Sequence, residues 1–287
     1  MSTVAAAARA VRVRRRWIAA HRAVVIVSVA VIAIAALIAI FGSLLAPHDP
    51  NASNLDNAYV GPGPGHLLGY DGQGRDLLSR LLVGARTSLL GPVIVVAISV
   101  AAGILLALLA AWRGGWVDAG ISACLDVLFA FPALLLAIFT AAVFGPSLLA
   151  AALALAVAYT PYIARVLRGE ALRERARDYV AALEVQGMPA MAICARHLLP
   201  NVMPLIVAQA TLLFGYAMVD LAAVSFIGLG VQPPQADWGV MVSSGEAGVL
   251  QGYPAESLSA GLCLVVVVVA VNLLGERLSA RDLERTT

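Results

Sequence analysis

The chain has 287 residues, of which 61% are hydrophobic and only 13% are charged, and its formal net charge is +2. This composition, with a mean hydropathy of +0.90, excludes an ordinary soluble domain. Several apolar runs are long enough to cross about 30 Å of hydrocarbon, so we predict an all-α polytopic membrane protein. All 19 basic residues are arginine, so the chain lacks the lysine that a P-loop for ATP requires.

Six transmembrane helices are predicted in chain order. They cover residues 24–45, 87–111, 119–143, 147–166, 203–228 and 257–275. The first follows an arginine-rich N-terminal segment, residues 1–23, as the apolar core of a signal peptide does. It is too long for such a core, and Ala46-Pro47 is a poor cleavage site, so we predict that it is retained as a span.

Arginine placement predicts the orientation, because cytoplasmic segments of membrane proteins carry an excess of basic residues. Sixteen of the 19 arginines fall on the side of the N-terminus, and only Arg75, Arg80 and Arg86 fall on the other side. Both termini, including the tail 276–287, are therefore predicted to be cytoplasmic. The long segment 46–86 is predicted to be external.

The external segment begins with turns, as GPGPGHLLGYDGQG indicates. It then becomes an amphipathic helix, which we expect to lie along the outer membrane surface. Its leucine face and its polar face are formed by Leu77, Leu78, Leu81 and Leu82, and by Arg75, Asp76, Ser79 and Arg80. The glycines do not fit a dinucleotide-binding fingerprint, so we predict no nucleotide site here.

The membrane core of the last five predicted spans, residues 87–275, contains a helical hairpin at 170–201 that is predicted to be cytoplasmic. Gly187 is expected to end its first helix in the left-handed conformation, and Pro189 to begin its second. Pro200 is expected to end that second helix. Each helix is predicted to have one face that cannot bury itself in so small a unit and needs a partner: Tyr179, Ala182, Leu183 and Gln186 in the first, and Met188, Met191, Ala195 and Leu198 in the second. From the pattern alone, the hairpin either packs on its own helix ends or docks a separate soluble subunit.

Four polar residues, Asp126, Gln209, Asp220 and Asn272, lie in or near the predicted spans. A charge there costs at least about 2.5 kcal/mol on insertion scales, so such residues usually face a cavity or a partner. Gln209, Asp220 and Asn272 are the candidate translocation-path residues; a structural hydrogen bond to a partner is the alternative for Asp220. Asp126 lies near the inner surface, where water can solvate it.

Neither the cysteines nor the histidines indicate a metal site. Cys124, Cys194 and Cys263 contain no C-x-x-C pair, and we expect free thiols that act as small hydrophobes. The histidines are scattered along the chain without metal-ligand spacing: His21, His48, His66 and His197. No metal site is predicted.

The hairpin resembles the EAA loop of ABC importer permeases, in the form DYV-x-A-A…G…RH-x-LPN of the peptide and nickel branch. Ala182, Gly187 and the terminal RHLLPN fit, whereas Ala181 replaces the motif glutamate and Leu183 its second alanine. Three further stretches resemble the same branch: HLLGYDGQGRDLLSRLLVGARTSL at 66–89, SFIGLGVQPPQADWGVMV at 225–242, and the tail NLLGERLSARDLER.

The resemblance implies a type I ABC importer permease in a bacterial inner membrane. It implies a homologous second permease, two ATPase subunits or one fused ATPase, an extracytoplasmic substrate-binding protein and membrane lipid as partners, and no nucleic acid. The chain itself would bind no cofactor, since ATP and Mg²⁺ would sit on the ATPases. The implied ATPase-coupling residues are Tyr179, Ala182, Leu183, Gly187, Met188, Pro189, Met191, His197 and Pro200.

Import of dipeptides or oligopeptides is the favoured function, and nickel import by the same fold is the alternative. A stand-alone secondary transporter would need ion-coupling charges in its spans and often inverted repeats, neither of which is evident. A membrane enzyme is disfavoured, because the sequence contains no Ser/His, paired-Asp or H-E-x-x-H arrangement. We therefore expect a non-catalytic subunit.

Overall fold

The computed structural model describes the backbone of residues 2–286 and the side chains of residues 23–277. Throughout this backbone the regular elements are helices, and β-structure is limited to two isolated bridges within residues 63–76. The predicted all-α class is confirmed. The side chains of the arginines in residues 1–22 and after residue 277, on which part of the predicted orientation rests, lie outside the described part of the chain.

Five described helices are long and apolar enough to cross a membrane: α1, α2, α5, α8 and α11. They account for five of the six predicted spans. In chain order the helices are α1 Ser2–Leu45, α2 Leu77–Arg113, α3 Gly115–Phe129, α4 Ala133–Phe144, α5 Leu148–Arg175, α6 Asp178–Val185, α7 Ala190–Ile193, α8 Leu199–Phe226, α9 Trp238–Ser244, α10 Glu246–Leu250 and α11 Ala255–Thr286. A 3-10 turn at Leu55–Asn57 and a π-helical segment at Cys194–Leu198 complete the regular structure.

The third predicted span, 119–143, is not one straight helix. It is divided between α3 and α4, which are bent by 78° at the break between them. Pro132 explains the break, because it has no N–H to donate and it disfavours helical backbone at the preceding residue, Phe131. Pro161 and Pro204, by contrast, lie inside the continuous helices α5 and α8.

The predicted amphipathic surface helix is also a different structure. Leu77 begins α2, which runs without interruption to Arg113. Leu77 and Leu81 are buried on one side, but Ser79 and Arg80 on the opposite side are buried as well. The polar face is covered by folded loop, so this segment is the first part of the continuous helix α2 rather than a separate amphipathic helix with an exposed polar face.

Helix α2 packs against α5 along small residues that allow close approach, as is common between membrane helices. A Cβ atom at Gly103 would lie 2.5 Å from Cγ2 of Ile163 in α5. Ser99 in α2 donates a hydrogen bond to the carbonyl oxygen of Ala156, at 2.9 Å. Two ion pairs, Arg165–Asp126 and Arg168–Asp118, attach α3 to α5.

Two loops pack together at the end of the molecule that we call the loop end, formed by residues 46–76 and 227–254. Asp237 caps α9 and accepts a hydrogen bond from Ser88 Oγ of α2 at 2.7 Å. Trp238 Nε1 donates to the carbonyl oxygen of Leu81 at 3.0 Å, and Arg80 Nη1 to that of Pro50 at 3.1 Å. These contacts hold both loops to the start of α2.

Candidate functional site

The hairpin lies at the opposite end of the molecule, which we call the hairpin end, and its turn has the predicted geometry. Gly187 follows α6 with φ +80°. The N–H of Gly187 donates to the carbonyl oxygen of Glu184 at 3.0 Å, and that of Met188 to Leu183 at 3.1 Å. These two bonds form a Schellman motif, which satisfies the last carbonyl groups of α6 and requires a residue that tolerates positive φ.

The inner side of the hairpin packs on the end of α2. Val180 of α6 is buried together with Ile193, Cys194 and Leu198, which follow the turn. Partly buried residues complete the cluster: Leu108 and Trp112 of α2, and Tyr179, Leu183 and Met188 of the hairpin. The interpretation that the hairpin packs on its own helix ends is therefore correct for this side.

Polar contacts from the last turn of α5 reinforce this packing. Arg175 donates to the carbonyl oxygens of Ala111, at 2.5 Å, and of Trp112, and its guanidinium lies 4.8 Å from the centre of the Trp112 ring. The carboxylate of Glu174 is almost wholly buried and accepts from Tyr179 Oη at 2.8 Å. Burial raises the pKa of Tyr179, and its bond to Glu174 acts in the same direction, so the hydroxyl remains a donor.

Two further donors complete the environment of Glu174. Asn201 Nδ2 at the start of α8 donates to the same carboxylate at 2.7 Å, and Arg177 Nε lies 2.8 Å from it. The carboxylate therefore joins α5, α6 and α8. From the sequence, Asn201 matches the end of the EAA-like motif but no contact was predicted for it, and Glu174 was not singled out.

The outer side of the hairpin is exposed and partly apolar. Met191 is 81% exposed, and Val185, which sequence reasoning missed, is 89% exposed. Ala182, Gly187 and Pro189 are also exposed, whereas Tyr179, Leu183, Met188 and His197 are half-buried. Leu198 was predicted to share a face with Met191, and this is wrong because Leu198 is fully buried against α2.

Pro200 does not end the second hairpin helix, as the sequence had predicted. Residues 190–226 form one helical path from the hairpin into the span, through the π-helical segment. In a regular α-helix the Pro200 ring would clash with the carbonyl group of Arg196. The wider turn, in which Leu199 N–H donates to the carbonyl oxygen of Cys194, accommodates the proline.

A strip of polar side chains lies between α5 and α8; we call Tyr159, Tyr162, Gln209 and Asp220 the polar strip. Tyr159 Oη donates to Asp220 Oδ2, and Tyr162 Oη to Gln209 Oε1 at 2.9 Å. All four side chains are half-buried, and Tyr216 on the same side of α8 is exposed. Two of the three predicted path residues thus lie on the same side of α8, and each is bonded to a tyrosine that sequence reasoning missed.

Asn272, the third predicted path residue, lies elsewhere. Its side chain faces Gly215, where a Cβ atom would lie 2.3 Å from Asn272 Oδ1. Gly215 is about 120° around α8 from Gln209, since each residue turns a helix by about 100°. Asn272 therefore lies in the packing between α11 and α8, outside the polar strip.

The chain matches two family models. One, the binding-protein-dependent transport system inner membrane component, covers residues 99–281. The other, the N-terminal TM domain of oligopeptide transport permease C, covers residues 12–62. The chain belongs to the binding-protein-dependent permease family.

Individual relatives agree with this assignment. The permease is 38% identical over 242 residues to the dipeptide transport system permease protein DppC of Alkalihalophilus pseudofirmus, covering 84% of this chain and 79% of that one. It is 38% identical over 267 residues to the probable D,D-dipeptide transport system permease protein DdpC of Escherichia coli, covering 93% and 89%.

The fold has a counterpart among solved structures. A chain of the MetNI methionine ABC transporter in an inward-facing conformation superimposes with a TM-score of 0.54 at 21% identity, covering 70% of this permease and 95% of that chain. This confirms the predicted ABC importer permease fold. The protein is an inner-membrane, non-catalytic subunit of a transporter complex in which separate ATPase subunits hydrolyse ATP.

Replacing Glu174 with alanine should loosen the hairpin of the permease. Tyr179 and Asn201 would lose their shared acceptor, and a hydrogen bond to a charged group contributes about 1.5–3 kcal/mol. We expect faster amide hydrogen exchange across residues 178–198. Glu184→Ala is the matched control, because the Glu184 side chain is exposed in the same hairpin. Equal exchange in the two variants would contradict the anchoring role of Glu174.

Proposed function

We propose that this permease imports short peptides and that its hairpin transmits the movement of ATPase subunits to the polar strip. The observation that carries the proposal is the two-sided hairpin, held to α2, α5 and α8 on one side and exposing Val185 and Met191 on the other. The peptide cargo is supported by the printed names of the relatives, which are dipeptide permeases.

The route of transmission follows two helices. The hairpin continues into α8 through the π-helical segment, and α8 carries Gln209 and Asp220. The Glu174 carboxylate joins the hairpin to α5, which carries Tyr159 and Tyr162, and Arg175 joins α5 to the end of α2 on which the hairpin packs. A displacement of the hairpin therefore moves both sides of the polar strip, as a rigid-body change between inward-open and outward-open states requires.

The coupling surface comprises the exposed residues Ala182, Gly187, Pro189 and Met191, with Val185 added to the set predicted from the sequence. Small and apolar side chains allow close approach of an ATPase surface. Tyr179, Leu183, Met188 and His197 support this surface from the half-buried side, and Pro200 lies on the helix that leaves it.

The proposed complex contains a second, homologous permease, two ATPase subunits or one fused ATPase that hold ATP and Mg²⁺, and an extracytoplasmic substrate-binding protein. The second permease would meet the polar strip and enclose the path. The binding protein would dock at the loop end. The arginine distribution supports an orientation with both termini and the hairpin in the cytoplasm.

Gly187→Val should leave the protein inserted but uncoupled. Valine resists positive φ, so the turn would be strained by about 1–3 kcal/mol. We expect loss of the ATP hydrolysis that the binding protein stimulates in reconstituted complexes. Gly169→Val is the control, since Gly169 is helical and open to space at the same end of the molecule. Unchanged stimulation and transport in Gly187→Val would refute the coupling role.

Asp220→Asn should reduce or alter peptide uptake while the complex assembles normally. The substitution removes the charge at almost constant volume and keeps an acceptor for Tyr159. Asp126→Asn, at an exposed ion pair outside the polar strip, is the control. Complex yield is measured beside uptake: poor assembly would indicate a structural role, and wild-type assembly with wild-type uptake would remove Asp220 from the path.

A cysteine at Ser53, which is exposed in the 46–76 loop, should react with a membrane-impermeant thiol reagent added outside intact cells or spheroplasts. A Cys124→Ser background removes the exposed native thiol. Glu184→Cys in the hairpin is the paired control and should be labelled only after the membrane is opened. The reverse pattern would overturn the proposed orientation.

A further inference from the structure

Two histidines and a buried aspartate converge at the loop end, although they lie far apart in the sequence. His48 follows α1 by three residues, His66 lies in the middle of the loop, and Asp76 is the N-cap of α2. His66 Nδ1 is 2.8 Å from Asp76 Oδ1, and His48 Nδ1 is 3.9 Å from Asp76 Oδ2. One ligand atom from each residue lies within 4.8 Å of the other two. Spacing along the chain, which had predicted no metal site, therefore does not exclude one.

The distances fit a small tetrahedral cation once the His48 ring turns out of its stack on His66, because an imidazole binds a metal in its own ring plane and the two rings are now only 20° from parallel. Nitrogen and oxygen ligands bind Zn²⁺ at about 2.0–2.2 Å, which places tetrahedral ligand atoms about 3.3–3.6 Å apart. The His66–Asp76 distance of 2.8 Å lies below that range, and the His48–Asp76 distance of 3.9 Å lies above it. The His48 side chain is 38% exposed, so it is free to adjust and leaves an entry path, whereas the Asp76 side chain is only 2% exposed.

Surrounding groups hold the ligands in place. Ser79 donates from its backbone N–H and its hydroxyl to Asp76 Oδ2, at 2.8 and 2.6 Å, which leaves Oδ1 directed at His66. The backbone N–H of His48 donates to Ser79 Oγ at 3.1 Å. The Tyr70 ring packs on His66 with centroids 4.3 Å apart. Such supporting contacts orient the ligands of established metal sites.

The donor set indicates which cations the site suits. A carboxylate and two imidazoles without a thiolate suit Zn²⁺ or Ni²⁺ better than Mg²⁺ or Ca²⁺, which prefer oxygen ligands.

We propose that His48, His66 and Asp76 form a binding site for a divalent transition-metal cation, with water completing its coordination. The cation would fasten the chain leaving α1 to the first turn of α2. The site lies in the loop outside the polar strip, so the cation is a structural ligand and not the transported cargo. The competing interpretation needs no metal. Asp76 is then only a hydrogen-bonded helix cap, and the His48 ring stacks on the His66 ring with centroids 4.1 Å apart.

The test is equilibrium dialysis of the full-length chain, purified with its partner subunits on a histidine-free tag, against Zn²⁺ and then Ni²⁺, followed by elemental analysis. We expect the wild-type complex to bind one Zn²⁺ at this site. His48→Ala and Asp76→Asn should each lower the Zn²⁺ affinity by at least ~10-fold. Asparagine keeps an acceptor for Ser79, so Asp76→Asn separates ligand loss from loss of the cap. X-ray absorption of bound Zn²⁺ should show nitrogen and oxygen ligands at about 2.0–2.1 Å and no sulfur.

Two controls separate this site from nonspecific binding. Asp56→Asn removes an exposed carboxylate from the same loop, and His197→Ala removes a histidine at the hairpin end; neither should change Zn²⁺ binding. The proposal is overturned if the wild-type complex retains no Zn²⁺ at micromolar concentration. It is equally overturned if His48→Ala and Asp76→Asn bind Zn²⁺ as the wild type does, or if sulfur is found among the ligands. If His48→Ala yields no assembled complex, Asp76→Asn decides the outcome.

Discussion

The contact between Arg175 and the end of α2 is the interaction on which the hairpin depends. The last carbonyl groups of a helix have no partner within it, and the guanidinium supplies donors to those of Ala111 and Trp112. The same cation lies over the Trp112 ring, which also covers the buried side of the hairpin. Arg175, the last residue of α5, thus supplies donors to the last carbonyl groups of α2 and holds in place the Trp112 ring against which the hairpin packs.

Glu174 and the π-helical segment connect the hairpin to α8 as well. The Glu174 carboxylate accepts from Tyr179 in α6 and Asn201 in α8, so the three elements share one buried acceptor. The helical path from Ala190 to Phe226 has no loop in which a displacement could be lost. A hairpin attached in this way can move only with the spans, which is the property that a coupling element needs.

The sequence predicted those parts of the structure that depend on local chemistry. Long apolar runs placed α1, α2, α5, α8 and α11, and the Gly187 turn followed from the need for positive φ. Pro132 permits a kink in its span, but the sequence predicted neither a break of 78° there nor the continuous helix through Pro200, because hydropathy is the same in straight and bent spans. The burial of Leu198 depends on Leu108 and Trp112, which are remote in sequence and therefore absent from any periodic pattern.

The polar strip was predicted only in part, because its pairs also join residues that are remote in sequence. A search for costly polar groups in the spans finds Gln209 and Asp220, but it passes over Tyr159 and Tyr162, whose rings are compatible with an apolar run. Their role is apparent only when α5 and α8 lie side by side. His48, His66 and Asp76 converge only when the loop has folded, so a search for ligand spacing along the chain does not find them.

The polar strip also indicates that this side of α8 does not face lipid. A carboxylate exposed to hydrocarbon costs at least about 2.5 kcal/mol, and the one hydrogen bond from Tyr159 leaves Asp220 half-exposed. Lipid tails offer no donors, so this side of α8 is stable only against water or another polar protein surface. Asn272 differs, because its Oδ1 is buried over Gly215 and accepts no hydrogen bond from the described residues. Its position fits a role in setting the distance between α11 and α8, while Asp220 and Gln209 lie on the side of α8 that needs water or a polar protein surface.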